Sequence, residues 1–509
     1  VIIMKQWLLF AFAILHAAEL HAAPFTDITT ESNLTKILSH HYESFPKWWL
    51  SGLTFVDLDG DGSLDLHIAS HSGPTMPALA ALNDGRGHFT AIDPAISIAR
   101  GPHKSADLPY PGGEIRLAYD LHEDGRLDLL CSWHDGGGAL YLNQSKPGST
   151  LFHPSDLLDP FSRATAIADI NNDGRADYLA DDRDKIRILL ARAGAPGQFD
   201  PKPAAVPALK ESCAIPIDLD GDGNLDLLVT QRGYNPTRRL ILHNDGQMHF
   251  IDITKSAGLD PEAGSIHGGG DVNHDGHVDL ICIEGDRVEI YLNDTRGHFT
   301  KLQSAVRSLD KVKNKPHSTN WGGAIVTDVD NDGRADVLIN GRYFLYILKG
   351  SGDGTFDVAN QDWGITTNAF SAVDEGLCFG DTNNDGALDL LTCAPGPNGK
   401  EKGLTLLRND LPKHHWLRVR PLGAPGNRAA ANAKIRITDP ATHKLLWYEQ
   451  ITLFGRQSFH SYYATTPTER HFGLGDRETV DVSVEFHPSR KLVEQRAVKA
   501  DTAIEINEN

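Results

Sequence analysis

The nonapeptide Asp218-Leu-Asp-Gly-Asp-Gly-Asn-Leu-Asp226 places four carboxylates in nine residues and runs directly into the apolar stretch Leu-Leu-Val. Like charges crowded at alternate positions repel one another, so a cation is expected among them. Positions 1, 3, 5, 7 and 9 of such a loop converge on one hard ion if the chain turns sharply at position 6, where Gly has no Cβ to obstruct the turn. Asp218, Asp220, Asp222 and Asp226 would then supply side-chain oxygens and Asn224 its backbone carbonyl, while Leu225 points into the fold. The spacing of these oxygen donors suggests calcium. The ligand pattern is that of a shortened EF-hand loop. However, its ninth residue is Asp, there is no Glu at position 12, and its flanks read as strands, so a helical EF-hand is disfavoured.

The motif recurs seven times, as DLDGDGSLD (57–65), DLHEDGRLD (120–128), DINNDGRAD (169–177), DLDGDGNLD (218–226), DVNHDGHVD (271–279), DVDNDGRAD (328–336) and DTNNDGALD (381–389). Every copy keeps Asp at positions 1, 5 and 9, Gly at 6 and an apolar residue at 8, a register that a solvated acidic turn has no reason to repeat. The expected ligands, with position 7 acting through its carbonyl, are Asp57, Asp59, Asp61, Ser63 and Asp65 in the first loop and Asp120, Asp124, Arg126 and Asp128 in the second. In the third they are Asp169, Asn171, Asp173, Arg175 and Asp177, and the fourth is the loop described above. The fifth has Asp271, Asn273, Asp275, His277 and Asp279, the sixth Asp328, Asp330, Asp332, Arg334 and Asp336, and the seventh Asp381, Asn383, Asp385, Ala387 and Asp389. Only His122, at position 3 of the second copy, departs from an oxygen ligand, so six strong calcium sites and one degenerate site are expected.

Successive copies start 63, 49, 49, 53, 57 and 53 residues apart, the period of one β-propeller blade. One period contains four strand-like runs: 52–56 before the loop, 66–69 after it, 78–82, and 88–92 beyond a turn. The turns before the fourth run carry hairpin signals, as in LNDGRGHF (82–89), LHNDGQMHF (242–250) and LNDTRGHF (292–299). No amphipathic helical pattern interrupts the series. The expected fold is all-β: a seven-bladed β-propeller with calcium-binding hairpin loops, followed by a small β-rich C-terminal domain. The seventh repeat lacks its fourth strand, and FTDITTESNL (25–34) matches FIDITKSAGL (250–259), which occupies a fourth-strand position. The N-terminal segment is therefore expected to complete the last blade and remove its open edge.

Residues 24–412 resemble the FG-GAP/VCBS repeat propellers, the architecture shared with the integrin α-subunit head. In that family the D-x-D-x-D-G-x-x-D hairpin binds calcium between the first two strands of a blade. Residues 413–509 resemble the ASPIC/UnbV domain that follows such repeats in the cartilage acidic protein family. This second likeness rests on NRAAANAKIRI (427–437), HFGLG (471–475) and VDVSVEFHPS (480–489). In place of the family's Gly-rich turn stand Ala429, Ala430 and Ala431. In place of its Trp-Pro-Ser-Gly ending stands Phe486-His487-Pro488-Ser489-Arg490.

The 68 acidic and 48 basic residues give a net charge of −20, and positions 1, 3, 5 and 9 of the seven loops hold twenty-four of the carboxylates. These ligand carboxylates outnumber the net excess, so the negative balance is ligand charge rather than an acidic tail, and it argues against a nucleic-acid partner. Residues 1–23 read as a secretory signal, with Met4 as the start, Lys5, an apolar run over 7–15 and cleavage near Ala22 or Ala23. The expected location is periplasmic or extracellular. No later segment is long and apolar enough for a transmembrane anchor. The five cysteines form no disulfide framework; Cys131 and Cys282 read as buried apolar residues, and Cys378 and Cys393 flank the seventh loop where a pair is conceivable.

The loops at the other end of the strands collect aromatic and imidazole side chains: Trp48, Trp49, His103, Trp133, His134, Tyr234, His317, Trp321 and Tyr343. Such a face suits a sugar ring or a peptide. Two functions are weighed. One is a secreted calcium-binding module that recognises an extracellular carbohydrate or protein. The alternative is a secreted carbohydrate-active enzyme of the lyase or dehydratase type, using His, Asp and Glu of the same face. No nucleophile elbow, H-E-x-x-H helix or phosphate loop is present, and binding is favoured.

Overall fold

The computed structural model describes residues 24–48, 50–70, 77–92, 114–132, 138–159, 163–182, 185–200, 204–207, 209, 212–231, 238–284, 287–307, 321–341, 344–365, 377–395, 402–412, 414–454 and 469–509. Its strands form seven antiparallel blades in chain order, six of four strands and the third with a fifth added from the C-terminal part, each with its acidic loop between first and second strands. Blade one has Leu50–Val56, Asp65–Ser70, Leu79–Asn83 and Phe89–Ala91, in that spatial order. The alternation that makes these strands also makes the core. Leu53, Phe55, Leu66 and Ile68 of blade one pack with Cys378, Leu391 and Leu406 of blade seven, and comparable clusters lie between the other blades.

The ring closes as the sequence implies. Phe25–Asp27 pairs antiparallel with Lys402–Asn409, with Phe25 opposite Asn409 and Asp27 opposite Leu407. The two matching segments make the same hydrogen bonds. Ile28 N–H donates to Leu406 O and Leu406 N–H to Thr29 Oγ1; in blade four Ile253 N–H donates to Ile241 O and Ile241 N–H to Thr254 Oγ1, all at 2.9 Å.

An element that the sequence analysis did not anticipate follows this strand. Helix α1, Leu34–Ser44, buries Leu34, Ile37, Leu38, His41 and Tyr42 on one face. That is the spacing of an amphipathic helix, hidden in a polar-looking run. The helix packs beside blades one and seven, with Asn33 Nδ2 donating to Phe89 O at 2.9 Å. Trp48 belongs to the same cluster. It is only 4% exposed, its indole donates to Pro77 O at 2.8 Å, and it meets His41 and Tyr42 edge-on.

After the last blade come a three-stranded sheet (Arg470–Gly475, His415–Leu422, Thr502–Asn507) and a four-stranded sheet (Leu445–Gln450, Lys434–Thr438, Thr479–Glu485, Leu492–Lys499). Leu417, Val419, Ile435, Ile437, Phe472, Val482 and Ile506 share one core, and this core is continuous with Tyr119, Leu121 and Tyr178 of blades two and three. Two residues of the C-terminal sheets take up a conformation that glycine adopts without strain. Ala430 has φ 50° and Arg490 φ 55°, both left-handed. The described cysteines Cys131, Cys213, Cys282 and Cys378 are buried free thiols, and Cys378 lies opposite Leu391, so a Cys378–Cys393 bridge does not form.

Candidate metal centres on the loop face

All seven loops fold alike. Gly at position 6 has φ between 84° and 91°. Position 4 is also left-handed in every copy, occupied by Gly60, Glu123, Asn172, Gly221, His274, Asn331 and Asn384. These two turns curl the chain around its first carboxylate, which accepts the position-6 N–H in every loop at 2.7–3.1 Å. The ninth Asp, almost wholly buried, accepts the position-2 N–H on one oxygen at 2.9–3.3 Å. Its other oxygen accepts the N–H at the end of the third strand at 2.8–3.0 Å. Positions 1 and 9 thus anchor the hairpin, and in the first loop each of these oxygens accepts one N–H, which leaves a lone pair for an ion.

The carboxylates converge. Ligand atoms of Asp57, Asp59 and Asp61 lie within 4.8 Å of one another, as do those of Asp328, Asp330 and Asp332. In the fourth loop Asp220 and Asp222 are joined by His243, which the sequence analysis missed because it comes from the third strand. Its Nδ1 is 2.9 Å from Asp226 Oδ1. Burial pushes Asp65 and Asp279 up to about 8 and raises Asp177, Asp336 and Asp389, with neighbouring carboxylates adding to the effect. Holding these groups ionised requires positive charge, and a divalent ion would supply it. Of the three converging clusters the first fits such an ion best, because Lys434 and Lys349 reach the loops of the other two, whereas burial and neighbouring carboxylates both raise Asp57 and Asp65.

The other loops are partly neutralised by the protein. Arg126, Arg175 and Arg334, at position 7, fold back on Asp124, Asp173 and Asp332. Asn171 Nδ2 and Asn273 Nδ2, at position 3, donate to the position-5 carboxylates at 3.0 and 2.9 Å. His122 Nδ1 sits 2.9 Å from Asp128 Oδ2, so the departure in the second loop becomes a hydrogen bond to the ninth Asp.

The C-terminal sheets lie on this loop face. Lys434 Nζ is 2.6 Å from Asp218 Oδ2, and Arg418 reaches Asp381 at 3.9 Å. Gly426 N–H donates to the Glu123 carboxylate, and Trp447 meets His274 edge-on. His471 Nε2 is 2.7 Å from Asn331 Oδ1, and Arg490 donates to Asp222 O. The position-6 glycines permit the approach: a Cβ at Gly223 or Gly386 would fall within 2 Å of Arg490 or Trp416, whereas one at Gly62 or Gly125 would meet nothing. One C-terminal strand, Leu453–Phe454, pairs with Arg163–Ala168, the first strand of blade three, on its axial edge.

A further set of side chains joins blade to blade. Asn83, Asn143, Asn244, Asn293 and Asn409 end third strands, and each Nδ2 donates both to the position-8 carbonyl of its own loop and to the position-2 carbonyl of a neighbouring loop. The signal was present in the N-D-G and N-D hairpins, which read as turns alone. Blades three and six have Ala191 and Gly350 at this place.

Of the expected recognition residues, Trp48 is corrected from ligand contact to core. The backbone of Trp321 opens the first strand of blade six. Trp49, His103, Trp133, His134, Tyr234, His317 and Tyr343 lie outside the described residues.

The repeated loop and blade define an FG-GAP-type propeller, and comparison agrees. The family described as FG-GAP-like repeat matches residues 120–180, 271–339 and 328–392. Cartilage acidic protein 1 from Homo sapiens is 22% identical over 94% of this chain and 74% of its own length; the Mus musculus protein is 23% identical over 92% and 74%. The chain therefore carries FG-GAP-like repeats and is related at low identity, over most of its length, to cartilage acidic protein 1. Among solved structures, an Agrocybe aegerita lectin described as recognising non-reducing terminal N-acetylglucosamine aligns with TM-score 0.43 and 18% identity, over 71% of this chain and 87% of the lectin.

Proposed function

We propose that this chain is an exported, calcium-stabilised propeller that serves as a binding module, presenting the face opposite its acidic loops to an extracellular carbohydrate or protein. The observation that carries this reading is the placement of the C-terminal sheets. They touch the loops of blades two to seven, and Leu453–Phe454 lies against the axial edge of blade three. A ligand of any size is left the opposite face. In the sequence Trp133 and His134 directly follow the second strand of blade two and Tyr343 follows that of blade six, and in this reading they serve that face.

In this reading calcium is structural. It neutralises clustered carboxylates at the ends of the first two strands and holds the surface on which the C-terminal sheets rest. Extracellular modules use weak sites, with dissociation constants of about 10⁻⁴–10⁻³ M. A site saturated 100-fold over its dissociation constant adds about 2.7 kcal/mol to folding if the unfolded chain does not bind. Described helices include none long and apolar enough to cross a membrane.

The test is a glycan and peptide array probed with the full chain in calcium and in chelator, beside a Trp133→Ala/His134→Ala variant. Binding that this variant loses without a change in melting supports the reading. Retention of full binding by the variant would place recognition elsewhere. Equal melting temperatures in calcium and in chelator would remove the structural role of the ion.

A further inference from the structure

The seven loops share a fold but not an electrostatic environment, and in the sixth a lysine of the blade's own third strand reaches the loop carboxylates. At the third-strand position facing the loop, blades one, two, three and five carry Leu82, Leu142, Leu190 and Leu292, and blade four carries His243; each precedes the residue whose N–H bonds the ninth Asp. Blade six carries Lys349, followed by Gly350 in that role. The ammonium of Lys349 donates to Asp330 Oδ2 and lies 2.8 Å from Asp332 Oδ2, while Arg334 pairs with Asp332 from the other side. Arg408, at the same position in blade seven, turns away to Asp410 at 2.8 Å.

We propose that in the sixth blade Lys349 takes the place of the metal, so that this loop is closed by a cation belonging to the chain itself. A second observation supports the assignment. Asp328 is fully buried and Asp330 is 8% exposed. The C-terminal strand Arg470–Gly475 also lies so close that a Cβ on Gly473 would come within about 2 Å of Asp328 Oδ2. Calcium takes six to eight oxygen ligands, commonly including water. Here the space beside the carboxylates holds an ammonium on one side and peptide backbone on the other. The anchor also ties the propeller to the C-terminal sheets, since Gly475 N–H donates to Asn331 O at 2.9 Å and His471 meets the Asn331 side chain.

The inference rests on the calcium reading only for the comparison with the other loops, and the experiment separates the two. Melting is followed for the wild type, Lys349→Met, Asp330→Asn and their double variant, each in saturating calcium and in EDTA, with Asp59→Asn as the metal-loop control. The expected result is that each sixth-loop single variant melts several degrees lower, that the double variant melts no lower than the worse single, and that this coupling is the same with and without calcium. Coupling that is present in EDTA and vanishes in calcium would mean that the metal displaces the ammonium, and it overturns the proposal; so does additivity in both conditions. Asp59→Asn should reduce the calcium-dependent rise in melting. If neither it nor the wild type responds to calcium, the calcium reading fails, and the cycle in EDTA still decides the role of Lys349: coupling there supports it and additivity overturns it.

Discussion

Replacing Asn83 by Ala should loosen the propeller at the seam where its first and last blades meet. Asn83 is 4% exposed, and its Nδ2 donates to Leu64 O at 3.0 Å and, across 299 residues of sequence, to Thr382 O at 2.8 Å. Its Oδ1 accepts Gly85 N–H at 3.2 Å and Gly87 N–H at 3.1 Å, which shapes the hairpin to the fourth strand. Alanine deletes all four bonds. A protein hydrogen bond contributes about 1 kcal/mol net, and a buried polar group left without a partner costs about 1–3 kcal/mol. Water can reach some of these groups, so the expected loss is about 3–5 kcal/mol, a large part of a typical folding free energy of about 5–15 kcal/mol. The assay is urea unfolding with calcium held constant, followed by intrinsic fluorescence. Asn83→Asp isolates the amide, because it keeps the acceptor but turns a second oxygen toward two carbonyls. It should be destabilised at least as much as the Ala variant. A loss below about 1 kcal/mol for Ala, or a wild-type midpoint for Asp, would show that the bridge between blades one and seven contributes little.

Removing residues 25–34 exposes the edge of Lys402–Asn409, so the truncated chain should aggregate or melt without cooperativity, as light scattering during a thermal ramp will show; equal melting to the full chain would refute closure by this strand. Trp48→Ala empties a site packed by His41, Tyr42 and Leu53, with an expected cost of about 3–5 kcal/mol, whereas a ligand-contacting Trp on an exposed loop would cost little; unchanged stability would return Trp48 to the surface. His41 is held down to about 4, first by burial and then by the neighbouring His40. The folded state thus binds this proton less readily than the unfolded chain, so its contribution is retained above the unfolded value near 6.5 and is lost as pH falls toward 4. The slope reaches about 1.4 kcal/mol per pH unit, and His41→Phe should flatten the acid limb of stability against pH; an unchanged limb would show that His41 does not sense the acid.

How much of this was legible in advance depended on whether a residue's task was local. The loops were legible because every ligand lies within nine residues, and the glycines of 57–65 or 218–226 announce the turn that gathers them. The fourth-strand match between 25–34 and 250–259 was legible because both segments make the same bonds to a third strand. Helix α1 was not, since its apolar face is interleaved with Lys36, His40 and Glu43, and only packing against blades one and seven exposes that face as buried. Trp48 looked like a ligand residue because a Trp beside a loop gives no sign of which way it turns.

The sequence by itself determined the repeat, the number of blades, the acidic loops and the strand that closes the ring, because each follows from short-range spacing repeated seven times. Only the tertiary structure decided what each loop faces. Lys434 and Arg490 arrive at the fourth loop from more than two hundred residues away, Arg418 reaches the seventh from the C-terminal sheets, and Lys349 reaches the sixth from its own third strand. Asn83 is drawn to Thr382 by ring closure alone. Seven nearly identical motifs thus become unequal sites, because electrostatics depends on distance in space and a cation distant in the chain can stand within hydrogen-bonding reach of a carboxylate.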